Sequence, residues 1–192
     1  MGAPRAVWEE EYRSGRWDYL HSVEEAARLN LVAERALARQ VTSILDLGCG
    51  EAPLCTALDV YGYRGAYLGV DWAITALSAA ALRHPRRAFV CADLGALPVT
   101  GTFDLVVMSE VVYYLRDAPG AVSRALSLVA PEGELLVSLY QPRGDSGSRW
   151  VEVVARVEGA IRGLGAEQLG LVTSPDRGRA WSVLRMAGKG PE

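Results

Sequence analysis

The sequence predicts an α/β fold with a mostly parallel sheet of seven strands, helices on both faces and an antiparallel last strand. Residues 43–53 indicate a strand, a tight turn and a helix, because an apolar run ends in an acid and is followed by Gly48, Gly50 and a proline. Asp71 ends a second apolar run 21 residues beyond Gly50, as the second strand of a doubly wound sheet does. The nearly continuous apolar run at 103–110 predicts a strand buried on both faces.

Composition indicates one folded domain. The chain has 192 residues, of which 50% are hydrophobic, and its mean hydropathy is +0.10, which is enough apolar material for a full core. A net charge of −3 argues against a nucleic-acid partner, because no global basic field would hold phosphates. The sequence does not indicate an oligomeric state.

Cysteine usage and hydropathy predict a cytoplasmic location. The 3 cysteines form no C-x-x-C pair and the sequence has no histidine cluster, so we expect reduced thiols and no metal site. No apolar stretch reaches membrane-spanning length, and we expect no membrane partner.

Residues 1–40 are predicted to form N-terminal leader or lid helices, and residues 41–192 the main part of a single structural domain. Aromatic residues and a histidine are concentrated in the polar first part of the leader, which predicts a lid packed on the rest of the chain. These residues are Trp8, Tyr12, Trp17, Tyr19 and His21. Alternatively, Trp17 and Tyr19 only attach the leader to the core.

The second leader helix is predicted over residues 23–40. Ser22 and Glu25 have the spacing of a capping box, and apolar residues then recur at helical intervals. We expect Arg28 on the face that meets water or the mouth of a ligand site.

The remaining elements follow in order. A short helix at 54–59 precedes a strand at 66–71, an alanine-rich helix at 73–83, a short strand at 87–91 and the apolar strand at 103–110. An amphipathic helix at 117–129 is followed by a turn at 131–133, a strand at 134–140, a loop at 141–148 and a helix at 149–164. Residues 168–173 and 181–186 are predicted to form an antiparallel hairpin.

The glycine turn restricts the kind of ligand. Without a Cβ, Gly48 and Gly50 allow the backbone to turn sharply and to approach a ligand closely. A dinucleotide motif requires a third glycine at position 53, where this chain has proline, and Glu51 lies where phosphates would bind. These features disfavour a nucleotide-dependent oxidoreductase and favour a cofactor with a cationic amino acid end.

The run Asp-Leu-Gly-Cys-Gly at 46–50 resembles the first motif of class I S-adenosylmethionine (SAM) dependent methyltransferases. Asp71, Asp93 and residues 103–115 follow in family order, and the last of these resembles the small-molecule branch. The resemblance implies a Rossmann-like fold, SAM as the cofactor and S-adenosylhomocysteine (SAH) as the product. Ala52 departs from the pattern, because the family usually has glycine there.

The family motifs also imply a set of cofactor contacts. The glycine turn would hold the methionine part of SAM, the acid after the second strand its ribose, and the residues after the second and third strands its adenine. The residues concerned are Asp46, Gly48, Cys49, Gly50, Asp71, Trp72, Asp93, Leu94 and Ser109. Simpler roles for three of them are a helix cap at Asp71, packing at Trp72 and a turn at Asp93.

Catalysis of methyl transfer depends on alignment, and a base is needed only for a hydroxyl or a protonated amine. The candidates are Glu110, Tyr113, His21 and Tyr19. The expected partner is a small-molecule acceptor, such as a natural product, a sugar or an amine, methylated on oxygen or nitrogen. The Asn-Pro-Pro-Tyr type of motif found in enzymes that methylate base exocyclic amines is absent.

Two alternatives stay open. The fold could bind SAM as an accessory protein without methyl transfer, or the acceptor could be RNA or protein. The second would use the basic residues of 83–87, which are more typical of a solvated helix end than of a phosphate track.

Overall fold

The computed structural model describes residues 4–142, 149–176 and 178–188. Its strands are β1 (Ser43–Leu47), β2 (Ala66–Asp71), β3 (Ala88–Cys91), β4 (Phe103–Ser109), β5 (Val129–Tyr140), β6 (Glu167–Thr173) and β7 (Ala180–Ala187). Its helices are α1 (Arg5–Arg13), α2 (Val23–Ala38), α3 (Pro53–Val60), α4 (Ile74–Arg83), α5 (Ala118–Leu126) and α6 (Arg149–Gly163).

The strands form one seven-stranded sheet in the order β3-β2-β1-β4-β5-β7-β6. The pairs from β3 to β5 are parallel, whereas β7 runs antiparallel to both β5 and β6. The predicted fold class and the antiparallel last strand are confirmed. The strand order reverses between β1 and β4, and ligands of such sheets bind in the crevice at the carboxyl ends of the strands at this point.

Helices cover both faces of the sheet because the central strands are apolar on both sides. On one face, α2 and α3 pack on residues such as Ile44 and Leu105, both fully buried. On the other face, α5 and α6 pack on Leu45 and Val106, which are also fully buried. This packing holds the ends of β1 and β4 rigidly beside the crevice.

The start of β5 differs from the prediction. Phe103 already pairs with Val129, and the next pair joins Leu105 to Glu134, so a bulge in β5 accommodates the predicted turn at 131–133. The preceding helix therefore ends earlier than predicted, at Leu126. The prediction that this strand begins after the Pro-x-Gly turn was wrong, because β5 already pairs with β4 at Val129, before the turn.

The two leader helices differ in their packing. Helix α2 contributes six buried residues to the domain, whereas α1 has none. The helix predicted after Ser22 forms, but the predicted capping box does not. The Ser22 side chain makes no cap hydrogen bond, and the Glu25 carboxylate accepts hydrogen bonds from Arg28 and Arg179 instead.

The predicted loop at 141–148 lies mostly outside the described residues. Among the residues that the structure does describe, no helix is both long and apolar enough to cross a membrane.

Candidate active site

A cavity of about 1010 Å³ lies at the carboxyl ends of the central strands, beneath the leader. It is lined by every predicted site residue except His21. The doubly wound topology explains this convergence, since the residues after β1, β2, β3 and β4 all reach the same edge of the sheet.

The glycine turn after β1 requires glycine for two reasons. Gly48 and Gly50 have φ angles of 79° and 54°, which residues with a Cβ rarely adopt. A Cβ at Gly48 would lie 2.5 Å from Val111 Cγ2, and one at Gly50 would lie 2.5 Å from the Tyr12 hydroxyl oxygen. Ala52, at the position where the motif usually has glycine, also has a positive φ, of 57°.

Asp71 links the end of β2 to this turn. Its carboxylate accepts backbone N–H hydrogen bonds from Gly50 and Ala73, each of 2.9 Å. Burial raises the pKa of Asp71, while these hydrogen bonds oppose the rise. Each carboxylate oxygen retains a lone pair that could accept a hydrogen bond from a ligand hydroxyl. Asp71 can therefore cap the backbone N–H of Ala73 and contact a ligand at the same time.

Asp46 is a buried acid in the cavity wall. The Tyr67 hydroxyl donates a 2.7 Å hydrogen bond to it, and burial raises its pKa to about 6 against the influence of this bond and of Arg28. Since burial disfavours the charged form of Asp46, a cationic group of a ligand would stabilise that charged form.

Asp93 and Leu94 occupy the loop after β3. The Asp93 carboxylate accepts a 2.8 Å hydrogen bond from the Gly95 backbone N–H, so the turn role considered for it is present. Both Asp93 and Leu94 line the cavity, as Trp72 does after β2.

Arg28 is the main site residue to which the sequence analysis assigned no binding or catalytic role. It is 3% exposed, lines the cavity and donates to Glu25 at 2.9 Å and to the Ser109 hydroxyl. Arg179 donates to the other oxygen of Glu25. Arg28 was expected on a face that meets water or the mouth of the ligand site; its side chain lines the cavity, but it is buried rather than exposed to water. The i,i+3 pairing of Glu25 and Arg28 on the apolar face of α2 was the available signal.

Glu110 directly follows β4 with a φ of 61°. The Tyr113 hydroxyl donates to its carboxylate at 2.6 Å and the Ser138 hydroxyl at 3.2 Å. Burial raises the pKa of Glu110 to about 7, although Arg28 and these hydrogen bonds oppose the rise. Burial also raises the pKa of Tyr113, which therefore stays protonated. Glu110 can exchange a proton near neutral pH.

An aromatic cluster forms the roof and one side of the cavity. The rings follow one another at centroid distances of 4.8 to 6.3 Å and belong to Trp8, Tyr12, Trp17, Tyr19, Tyr113, Tyr114 and Trp150. The leader therefore lies over the cavity. Within the described part of the chain, the buried indole N–H of Trp17 has no hydrogen-bond partner.

His21 and Glu51 lie outside this cavity. The His21 Nε2 atom is 3.2 Å from Glu51 Oε2, and Arg83 contacts both side chains. Because the end of the leader directs His21 toward α4, the structure does not support His21 as a base. Glu51 likewise pairs with Arg83 rather than facing a ligand.

The basic residues of 83–87 are mostly paired with acids. Arg83 contacts Glu51, while His84 and Arg87 contact Asp59. Across residues 4–142, 149–176 and 178–188, no group of three or more histidine, cysteine or acidic side chains could hold a metal ion.

A doubly wound sheet with a glycine turn at its switch point and acids after three successive strands defines a nucleoside-cofactor-binding α/β protein. The chain matches the family model described as "Methyltransferase domain" over residues 16–188, and it belongs to that family.

Individual proteins are similar at lower identity. The chain is 28% identical over 161 residues to a ubiquinone biosynthesis O-methyltransferase of Rhodopseudomonas palustris (strain BisB5), covering 69% of this chain and 62% of that protein. The chain thus spans less than two thirds of this curated relative.

Solved structures share the fold. Magnesium protoporphyrin IX methyltransferase (ChlM) from Synechocystis PCC 6803, with bound SAM, superposes with a TM-score of 0.68 at 15% identity, covering 96% of this chain and 97% of that one. The [4+2]-cyclase SpnF superposes with a TM-score of 0.67 at 18% identity, covering 85% and 81% of the two chains.

Proposed function

We propose that this protein is a SAM-dependent methyltransferase that transfers a methyl group to an oxygen or nitrogen atom of a small molecule. The observation that carries the proposal is that Glu110 lies in the same cavity as the glycine turn and Asp71. A group that can accept a proton thus lies beside a site suited to a nucleoside cofactor.

The cavity suits SAM in shape and in charge. Gly48 and Gly50 line the cavity without side chains, so a ligand can approach the backbone there, and the buried Asp46 offers a carboxylate to the ammonium group. Arg28 offers a guanidinium to the carboxylate of the methionine part. Asp71 would accept from the ribose hydroxyls, while Trp72 and Asp93 would contact adenine.

When bound, SAM supplies an electrophilic methyl group on a sulfonium, and SAH is the product. The protein brings the acceptor into line with that methyl group, which in well-oriented systems removes on the order of 7 kcal/mol or more from the barrier. The leader's aromatic rings line the cavity and would limit the access of water to it. Glu110 accepts the proton of a hydroxyl or an ammonium acceptor, and Tyr113 and Ser138 hold its carboxylate in place.

Aromatic walls support a small-molecule acceptor. Tyr19, Tyr113, Tyr114 and Trp150 line the same cavity as Glu110, and such aromatic walls suit a compact organic molecule. The names of the similar proteins refer to ubiquinone biosynthesis and to magnesium protoporphyrin IX, which are also small-molecule contexts. The pairing of three of the basic residues of 83–87 with acids disfavours an RNA acceptor.

A second candidate is a protein that binds SAM without methyl transfer. The observation in its favour is the likeness to a [4+2]-cyclase, which shows that this fold accommodates a different reaction.

The test is incubation of the purified protein with methyl-labelled SAM and a cell lysate, followed by size separation before and after nuclease and protease treatment. E110Q serves as the comparison. Label in the low-mass fraction that depends on Glu110 supports the proposal. Label in nuclease- or protease-sensitive material overturns the small-molecule acceptor, and SAH binding without any transfer supports the second candidate.

A further inference from the structure

The leader is attached to the main part of the domain by Glu9. Its carboxylate accepts hydrogen bonds from the Ile74 N–H at 2.9 Å, the Thr75 N–H at 3.0 Å and the Thr75 hydroxyl at 2.7 Å. The Glu9 side chain is 14% exposed, and Arg5 pairs with it one turn earlier. Three hydrogen bonds therefore converge on one carboxylate between α1 and the first turn of α4.

This contact supplies a cap that α4 lacks in its own sequence. The first N–H groups of a helix have no partners within the helix, and negative charge is favourable there. Ala73 occupies the cap position of α4 and has no side-chain oxygen. Burial opposes ionisation, but the hydrogen bonds from Thr75, Ile74 and Arg5 lower the pKa of Glu9 to about 2. Glu9 is therefore charged at neutral pH.

Tyr12 lies on the same side of α1, three residues after Glu9, where helical side chains are neighbours. Its hydroxyl oxygen is the atom that would collide with a Cβ at Gly50, and its ring lines the cavity. Burial, and then Asp71, Cys49 and Glu51, raise the pKa of Tyr12, so its hydroxyl remains a hydrogen-bond donor.

We propose that Tyr12 is a cofactor-binding residue and that Glu9 is its positioning residue. By capping α4, Glu9 holds α1 in place, so that the Tyr12 hydroxyl lies over the glycine turn and donates a hydrogen bond to an oxygen of the bound cofactor. Since α4 begins at Ile74, two residues after Trp72, this contact fixes the leader close to Asp71 and Trp72, the residues proposed to contact ribose and adenine. This inference rests on the proposed function.

The test compares SAH binding by calorimetry, and SAH release by stopped-flow fluorescence, in Y12F, E9A and the double variant. One hydrogen bond corresponds to roughly a 3- to 10-fold change in affinity, so Y12F and E9A should each weaken binding by about that factor. If Glu9 acts through Tyr12, the double variant should bind no more weakly than the weaker single variant. E9Q, which keeps one acceptor oxygen, should bind with intermediate affinity.

Two matched controls isolate the effect. E10A changes the neighbouring glutamate of the same helix, whose partner is Arg13 on the surface, and Y61F removes a hydroxyl outside the cavity; both should bind SAH as the wild type does. Thermal melts confirm that each variant is folded at the titration temperature.

The inference would be overturned if Y12F or E9A bound SAH with wild-type affinity. It would also be overturned if the loss of affinity in the double variant equalled the product of the two single losses. In either case, SAH binding by the wild type would leave the proposed function standing. Failure of the wild type to bind SAH would instead overturn the proposed function and this inference with it.

Discussion

The Tyr113 hydroxyl donates a 2.6 Å hydrogen bond to the carboxylate of Glu110, three residues earlier in the chain. Glu110 has a positive φ of 61°, which turns the chain at the end of β4 and directs the side chain to the cavity. The pair places a carboxylate with a pKa of about 7 beside the proposed acceptor site.

Methyl transfer should therefore depend on pH through Glu110. A base must be deprotonated, so kcat/KM should rise as the pH increases through about 7. E110Q should remove this rise and lower kcat/KM by roughly 10²- to 10⁴-fold. The measurement is a pH profile with the acceptor identified by labelling. E167Q, a change of an exposed glutamate, should keep the wild-type profile. An unchanged profile in E110Q would refute the assignment of Glu110 as the base.

Gly48 should tolerate alanine less well than another glycine with the same backbone conformation. Gly48 and Gly62 have φ angles of 79° and 80°, but a Cβ at Gly62 would meet nothing within 4 Å, whereas one at Gly48 would collide with Val111. In urea denaturation, G62A should lower the free energy of unfolding by about 1 kcal/mol and G48A by about 1 to 3 kcal/mol more. G48A should also abolish SAH binding. Equal stability losses in the two variants would mean that Val111 moves aside freely.

Glu25 should be essential for stability, because its buried carboxylate accepts hydrogen bonds from both Arg28 and Arg179. E25A leaves Arg28 buried without its carboxylate, and breaking a buried pair in this way costs about 3 to 5 kcal/mol. Urea denaturation at pH 7 measures the loss. E10A removes an exposed ion pair and should change the free energy of unfolding by less than about 1 kcal/mol. A similarly small effect of E25A would show that water reaches Arg28.

The sheet and the glycine turn were predictable because their signals are local. The strand at residues 66–71 and its terminal acid follow from one short apolar run, and the doubly wound topology then brings such strand ends together.

Other parts of the site depend on contacts between distant residues. Arg28 reaches Ser109, 81 residues away, and Glu25 reaches Arg179, 154 residues away; no local pattern encodes such pairs. His21 was a candidate by its residue type alone, and its orientation depends on the path of the leader. The contact of Glu9 with the first turn of α4 was not predicted either, because Glu9 caps a helix that begins 65 residues later in the chain.

The most direct test of the central claim is calorimetric titration of the wild type and of D71N with SAH. We expect one SAH per chain and an affinity roughly 10- to 100-fold weaker in D71N, because a charged acceptor of the ribose hydroxyls is lost. Thermal melts of D71N show whether the glycine turn survives the substitution. If the wild type does not bind SAH, or if a folded D71N binds it equally well, the cavity is not the SAM site described above.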